Sequence, residues 1–356
     1  SFDSQNNVLI IENDKGLETF VKIINKTMTE SLFVRNSDNS EKYETYIAGG
    51  DYSGISAKLS NDVTDVTLSN GISIGCSSDT PFKGVFDGNG KTVKIRNVTF
   101  ETIQDDGNVT FGNALFGYTD YATIKNLTVA TLEDETSDDS TKETIEVTRE
   151  GYTLQRVYLG GIIGNAKSTT LEQCINYRKL YITESCDAEN FYCAGLVAYA
   201  QDKCTYDKCI NIGSISSMNG KLLCGFENGS GNVDSTFTDC LNCGSLGESN
   251  SYGFARGGNY TNCVDVGVAG MPFGENASFH NCYYSEYVLP NENPSGLTKK
   301  SKFEIIEFTT NELPNWKINK APYIYPLPFD VSNCENYPEL FCYDLKISDV
   351  DTLKTN

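Results

Sequence analysis

Histidine and tryptophan each occur once in the 356 residues, as His280 and Trp316, and methionine only three times. A Ser-His-Asp or Cys-His nucleophilic site needs an imidazole beside the reacting group. The single histidine follows Phe279 inside a repeat unit, so no catalytic residues are assigned and the chain reads as a non-enzyme. Zinc needs paired ligand motifs; the only Cys-x-x-Cys is Cys240-Leu241-Asn242-Cys243, so no metal or other cofactor is expected. Basic side chains are scarce as well, 28 Lys and Arg against 48 Asp and Glu, for a net charge of −20. Phosphate backbones and anionic lipid surfaces repel such a chain, which argues against nucleic acid as a partner. No apolar run reaches the ~18 residues of a membrane-spanning helix, so no direct membrane insertion is expected. Calcium-loop spacings of alternating Asp are missing, and the coils offer no regular threonine ladder for a flat ice-binding face.

At 39% hydrophobic and 21% charged the chain has the apolar material for a sizeable core. Its middle carries a repeat: an apolar residue, two variable ones, then an apolar residue or Cys. The copies are Ile95-Arg96-Asn97-Val98, Ile124-Lys125-Asn126-Leu127, Leu171-Glu172-Gln173-Cys174, Tyr206-Asp207-Lys208-Cys209, Phe237-Thr238-Asp239-Cys240, Tyr260-Thr261-Asn262-Cys263 and Phe279-His280-Asn281-Cys282. A small, apolar segment lies upstream of each, such as Gly161-Ile162-Ile163 and Gly195-Leu196-Val197. Short strands bounded by Gly, Asn, Asp or Ser at a variable period suit an all-β solenoid whose coils stack on their neighbours. Stacking superimposes equivalent side chains, so Val98, Leu127, Cys174, Cys209, Cys240, Cys263 and Cys282 are expected to form one interior column, with Cys acting as a small hydrophobe.

An open solenoid needs caps at both ends. Leu17, Phe20, Val21 and Ile24 follow helical spacing behind Asn13 and Asp14, so 15–27 reads as an amphipathic helix over the first coil. Trp316, Pro322, Tyr323, Ile324, Tyr325 and Pro326 suit a lid on the last coil. The reading is therefore an N-terminal cap over 1–79, about seven coils over 80–288 with an insertion at 132–157, and an irregular C-terminal cap over 289–356.

The run Pro81-Phe82-Lys83-Gly84-Val85-Phe86-Asp87-Gly88-Asn89-Gly90-Lys91-Thr92-Val93, the Gly160-Gly161-Ile162-Ile163-Gly164 segment, Lys208-Cys209-Ile210-Asn211 and Asn281-Cys282-Tyr283-Tyr284 resemble the GLUG-repeat family. Trp316 followed by Pro322-Tyr323 resembles the ends of such proteins, and the likeness covers roughly residues 8 to 330. It implies a right-handed parallel β-helix on secreted or surface proteins of microbes, including adhesins and non-catalytic regions of secreted peptidases. The chain departs from the family where Ala198, Glu227 and Ala255 stand in place of a glycine after the apolar residue, and its cysteine load is heavier.

Two residues beyond each upstream apolar position lies a row of Tyr118, Asn165, Tyr199, Asn228, Arg256 and Glu275, polar and aromatic enough to hold a sugar or peptide by stacking and hydrogen bonding. An ordinary solvated coil edge has the same composition. Asp87 and Asn89 between glycines read as a tight turn rather than a ligand set. Residues 132–150 carry eight acids against two bases, an acidic arm or a solvated loop. Sequons at Asn25, Asn97, Asn108, Asn126, Asn228, Asn259 and Asn276 allow N-glycosylation, at about the frequency chance would give. Thirteen Cys leave at least one thiol free or paired between chains if the rest are bridged, and Cys334 with Cys342 is the expected disulfide. The chain opens at Ser1, which fits removal of a secretion signal or a trimmed start. The missing catalytic set, the acidic surface and the GLUG-repeat resemblance favour a non-catalytic adhesion module that binds a glycan or surface protein, and the resemblance implies an extracellular or cell-surface location. A polysaccharide lyase or hydrolase is the alternative, as is a wall or filament protein that assembles with other chains.

Overall fold

Short strands pair with their counterparts one coil away, and nearly all of that pairing is parallel. The computed structural model describes residues 1–37, 43–103, 108–134, 142–145, 153–183, 190–217, 221–229, 234–247, 250–274, 276–285 and 297–301, with 304, 317–319 and 325–327. In the longest sheet Thr123-Ile124-Lys125, Thr170-Leu171-Glu172, Thr205-Tyr206-Asp207, Thr236-Phe237-Thr238, Asn259-Tyr260-Thr261 and Ser278-Phe279-His280 lie side by side in register. The middle residue of each triplet points inward, and Ile124, Leu171, Tyr206, Phe237 and Tyr260 are buried. The chain is thus a parallel β-solenoid.

The repeat bends at its third residue. Asn89, Asn126, Gln173, Lys208, Asp239, Asn262 and Asn281 all have φ between 50° and 55°, the left-handed conformation that turns the strand and returns the next residue to the interior. Asparagine is favoured there because its side chain reaches the neighbouring coil: Asn126 Nδ2 donates to Asp87 Oδ1 at 3.0 Å and Asn262 Nδ2 to Asp239 Oδ1 at 3.0 Å. Asn89 and Gly90, at φ 54° and 74°, make the turn expected of the Asp87–Gly90 run.

Cys174, Cys209, Cys240, Cys263 and Cys282 follow that corner, are buried and carry free thiols. Each sulfur from Cys174 to Cys263 donates to a carbonyl of the preceding coil, as in Cys209 Sγ to Leu171 O at 3.4 Å. Burial pushes the Cys174, Cys240 and Cys282 thiols up, which keeps them protonated and unreactive. A thiol reagent on the native protein is therefore expected to label half-buried Cys76 and Cys243 well before this column, read by peptide mass spectrometry. Rapid native labelling of Cys209 or Cys240 would contradict the packing. No disulfide occurs among the described residues; Cys334 and Cys342 lie outside them.

The first copy of the repeat does not belong to this column. Ile124 pairs with Phe86 rather than Ile95, and Leu127 with Lys91, so the Phe86 run supplies the first coil of the row. Ile95-Arg96-Asn97-Val98 uses the same bend at a different corner, where Asn97 (φ 53°) stacks on Asn70 (φ 48°) and Asn97 Nδ2 donates to Asn70 Oδ1 at 3.0 Å. Val98 still reaches the same core. The outer face of the long sheet also corrects the threonine reading. Thr123, Thr170, Thr205 and Thr236 form one row, continued by Asn259 and Ser278, but the next row is Lys125, Glu172, Asp207, Thr238, Thr261 and His280. Unequal coil lengths hide that register in the sequence.

The middle coils close around two cores. The first lies between the long sheet and a three-stranded sheet of Phe116–Asp120, Ile163–Lys167 and Val197–Ala200. The second lies between a six-stranded lateral sheet, which includes Asn108–Asn113, Thr153–Gly160 and Asn190–Ala194, and a sheet of Lys142–Ile145, Lys179–Ile182 and Ile215–Ser217. The acidic insertion is therefore not all loop: Lys142–Ile145 pairs in parallel with Lys179–Ile182 and turns Glu143 inward.

A buried polar ladder runs along the coils between the cores. Asn176 Nδ2 donates to Asn211 Oδ1 at 2.9 Å, Asn211 Nδ2 to Asn242 Oδ1 at 2.8 Å, and Asn242 Nδ2 to Asp265 Oδ1 at 2.8 Å. Glycine beside the ladder makes room for it. A Cβ on Gly195 would stand 2.2 Å from Gly225 O and 2.3 Å from Asn211 Oδ1.

Helix α1 (Asp14–Ile24) plugs the N-terminal end, close to the span read from its spacing. Asn13 caps it through Gly16 N, and Leu17, Phe20, Val21, Ile23 and Ile24 are buried, with Phe20 against Phe82 and Phe86. Asn25 ends it, its Nδ2 on Ser73 O at 2.9 Å and its Oδ1 accepting from Gly75 N at 2.8 Å. The parallel stack already includes Val8–Ile11 and Ser56–Leu59, upstream of residue 80, and Phe2–Asp3 covers its outer edge by antiparallel pairing. At the other end Lys317–Asn319 pairs antiparallel with Tyr325–Leu327, while Trp316, Pro322, Tyr323 and Ile324 lie outside the described residues.

Candidate functional site

The lateral sheet and the three-stranded sheet each bury one face in a core, and their opposite faces meet in a corner lined by aromatic rings. Strand alternation puts Arg156 and Tyr158 on that face of Thr153–Gly160, and Tyr192 pairs beside Tyr158 on the next coil. From the other wall come Tyr118 and Tyr199, with Asn165 paired between them. The rings form a continuous file. Phe100 meets Tyr118 at 5.2 Å and Tyr158 at 6.5 Å between centroids, Tyr158 meets Tyr192 and Tyr199 at 5.6 Å each, and Tyr192 meets Tyr199 at 4.5 Å.

Phe100 and Tyr158, each 2% exposed, are the floor, and Tyr118, Tyr192 and Tyr199 are half-buried above them. The floor depends on glycine: a Cβ on Gly164 would stand 2.5 Å from the Phe100 ring. Burial raises the Tyr118 and Tyr192 phenols and pushes Tyr158 up to about 12, so all three are neutral hydroxyls that can donate or accept. Arg156 and Arg256 are exposed, and their positive charges act on these phenols, Arg156 on all three and Arg256 on Tyr192. The corner thus offers aromatic faces, hydroxyls and guanidinium groups, the means to stack a ring and bind its polar substituents.

Part of the row read from the sequence is here. Tyr118, Asn165 and Tyr199 are register partners, but the row breaks after Tyr199 because Val197 is opposite Glu227, not Phe226. Asn228 is thereby shifted one residue out of the row and buried, its Nδ2 on Leu222 O at 3.2 Å. Glu227 is opposite Ala255, which aligns Arg256 with Asn228, two coils beyond Tyr199, from where its charge acts on the Tyr192 phenol. Glu275 lies outside the described residues. Phe100, Arg156, Tyr158 and Tyr192 escaped the sequence reading, although Tyr158 and Tyr192 each stand three residues before a glycine of the ladder column, Gly161 and Gly195.

Glu227 corrects a second expectation. It does not replace a corner glycine but enters the inward row between Val197 and Ala255, accepting from Tyr206 Oη and Ser235 Oγ at 2.8 Å each. Burial pushes its carboxyl up to about 7, against those two bonds. The sequons divide by burial. Asn97, Asn259 and Asn276 are exposed and Asn108 and Asn126 half-buried, whereas Asn25 and Asn228 are buried and hydrogen-bonded, which leaves no room for a glycan. Among the described residues no group of three or more His, Cys, Asp or Glu is placed to hold a metal ion, and no helix is long and apolar enough to cross a membrane.

Fold and corner together define a parallel β-solenoid with a file of packed aromatic rings along its side. No protein-family model, curated protein or solved structure matches the chain, so its likeness to the GLUG-repeat family rests on the residues quoted above.

Proposed function

We propose that the chain is a non-catalytic binding module of a secreted or cell-surface protein that holds a glycan or protein partner along the aromatic corner. The observation that carries this reading is the file of Tyr118, Tyr192 and Tyr199, half-buried and packed on the buried rings of Phe100 and Tyr158. Partly exposed tyrosines bring large contact area at low conformational cost. The solenoid prepares the site, since the walls belong to separate sheets fixed by the two cores. The GLUG-repeat likeness, with its adhesins and non-catalytic regions of secreted peptidases, supports the same reading.

The test is to incubate the purified chain with an array of glycans and matrix proteins and score both retention and cleavage. Retention without cleavage is expected, and the double variant Tyr192→Ala/Tyr199→Ala should weaken it about tenfold or more while the fold persists. Cleavage of any arrayed polymer would overturn the non-catalytic part. Retention unchanged in the double variant would remove the corner as the binding surface.

A further inference from the structure

We infer that the ligand of the corner is a linear acidic glycan, a chain of uronate sugars lying along the solenoid axis. This deepens the proposed function and rests on it. In a protein of net charge −20, the basic groups around this corner are conspicuous. Arg156 projects from the middle coil of the tyrosine file, on the same strand face as Tyr158 and between the coils of Tyr118 and Tyr192, and Arg256 stands two coils beyond Tyr192, its charge acting on that phenol. Among the described residues neither guanidinium has an ion pair or a hydrogen bond, whereas Arg96 and Arg178 are engaged by backbone carbonyls and carboxylates. The nearby Asp120 carboxylate already faces two lysines, Lys83 at 3.3 Å and Lys167 at 3.8 Å, so it does not cancel the arginines.

Geometry then selects a chain over a terminal sugar. Arg156 and Arg256 belong to coils three steps apart through Asn190–Ala194, Leu223–Cys224 and Ser251–Tyr252. At ~4.8 Å per step that is a span of ~14 Å, which a single pyranose cannot bridge. A polymer bearing a carboxylate on every ring can place rings on Tyr192 and Tyr199 while its carboxylates reach both guanidinium groups, the planar fork that suits a carboxylate. An acidic protein partner lacks the repeated flat apolar ring faces that a file of tyrosines stacks against. Neutral polysaccharides offer those faces but leave both arginines without a counter-charge.

Titration of the full chain with a galacturonate hexamer and, in parallel, a galactose hexamer is the test. The acidic hexamer should bind about tenfold or more tightly than the neutral one, and lose that advantage as salt is raised. Arg156→Gln and Arg256→Gln should each weaken galacturonate binding about fivefold or more and galactose binding by a clearly smaller factor, with the melting profile unchanged. Equal binding of the two hexamers, or arginine variants that behave as wild type, would overturn the acidic ligand. If Tyr192→Ala/Tyr199→Ala still weakened binding in that case, the corner itself would stand as a neutral-glycan site. Neither hexamer bound, with the tyrosine variant losing retention of a matrix protein, would overturn the glycan and leave a protein-binding corner. Neither hexamer bound and no effect of the tyrosine variant would overturn both readings.

Discussion

Replacing Arg178 with Ala is expected to destabilise the fold by about 3–5 kcal/mol, the cost of stranding one partner of a buried ion pair. Arg178 and Glu143 are both buried, with Nη2 on Glu143 Oε2 at 2.5 Å and on Asn113 Oδ1 at 2.6 Å, and Nη1 on Gly160 O at 2.8 Å. Glu143 also accepts from Asn97 N at 2.9 Å and Asn113 Nδ2 at 3.1 Å. One cluster therefore ties the lateral sheet, the corner at Asn97 and the strand inside the acidic insertion. Arg178→Ala leaves Glu143 charged and dry, so that strand should detach first, read by faster amide exchange at 142–145 and 179–182. A paired Arg178→Met/Glu143→Leu change should recover much of the loss, because it removes both charges. Burial alone would raise the Glu143 carboxyl, but the Arg178 charge and the hydrogen bonds it accepts hold it below its ordinary value. Its contribution is then present above the unfolded carboxylate range and lost as pH falls through the depressed folded value. Acid unfolding of Glu143→Gln should lack that component. A melting temperature for Arg178→Ala equal to wild type would refute the argument.

Asp265→Asn should stabilise the protein at alkaline pH and do little in acid. Asp265 ends the asparagine ladder, with Oδ1 accepting from Asn242 and from Gly267 N at 3.1 Å, while Oδ2 is buried without a hydrogen-bond partner. Burial pushes its carboxyl up to about 7 from 3.8, although those two bonds oppose the shift. The sign is opposite to that of Glu143. The folded protein favours the protonated acid, so the stabilisation is complete below the unfolded value near 3.8, declines as pH rises to about 7 and is flat above. About three pH units correspond to roughly 4 kcal/mol at most. The side-chain amide that Asp265→Asn introduces keeps the acceptor that Asn242 and Gly267 N use, and never ionises. Melting temperatures at pH 4 and pH 8 should show the variant near wild type in the first and well above it in the second. Equal shifts at both pH values would mean that ionisation at Asp265 is not the cause. Glu227, also raised to about 7, adds a decline of the same sign to the wild-type profile.

Both predictions concern residues the sequence reading passed over, for a common reason. Arg178 and Glu143 stand 35 residues apart, and Arg178 reaches Asn113 across 65. Such pairings depend on how far each coil travels before it closes, which no local pattern encodes. Asn176, Asn211, Asn242 and Asp265 were visible as polar residues two places after Cys174, Cys209, Cys240 and Cys263, yet their spacing alone did not reveal that they face inward. The repeat, by contrast, is local: an inward residue, a left-handed corner and a small inward residue fit within four positions. That is why its six later copies align and the first was assigned to the wrong corner. Asn97 and Asn89 both satisfy the same bend, and only pairing of Phe86 with Ile124 distinguishes them.

The candidate site divides along the same line. Tyr118, Asn165 and Tyr199 were legible because equal offsets from an apolar residue hold across those three coils. One residue of slip at Phe226 then displaced Asn228 and brought Glu227 into the core. The opposite wall, Phe100, Tyr158 and Tyr192, could not be joined to the first by counting, since the two belong to different sheets. Sequence alone determined the stacked short strands, the cysteine column after the corner and the helix that plugs one end, because each follows from backbone preference and apolar spacing within a few residues. Tertiary structure decided the register between coils, the ladder and ion cluster at the junction of the cores, and the meeting of two aromatic walls, because these depend on where strands of unequal coils come to rest against one another.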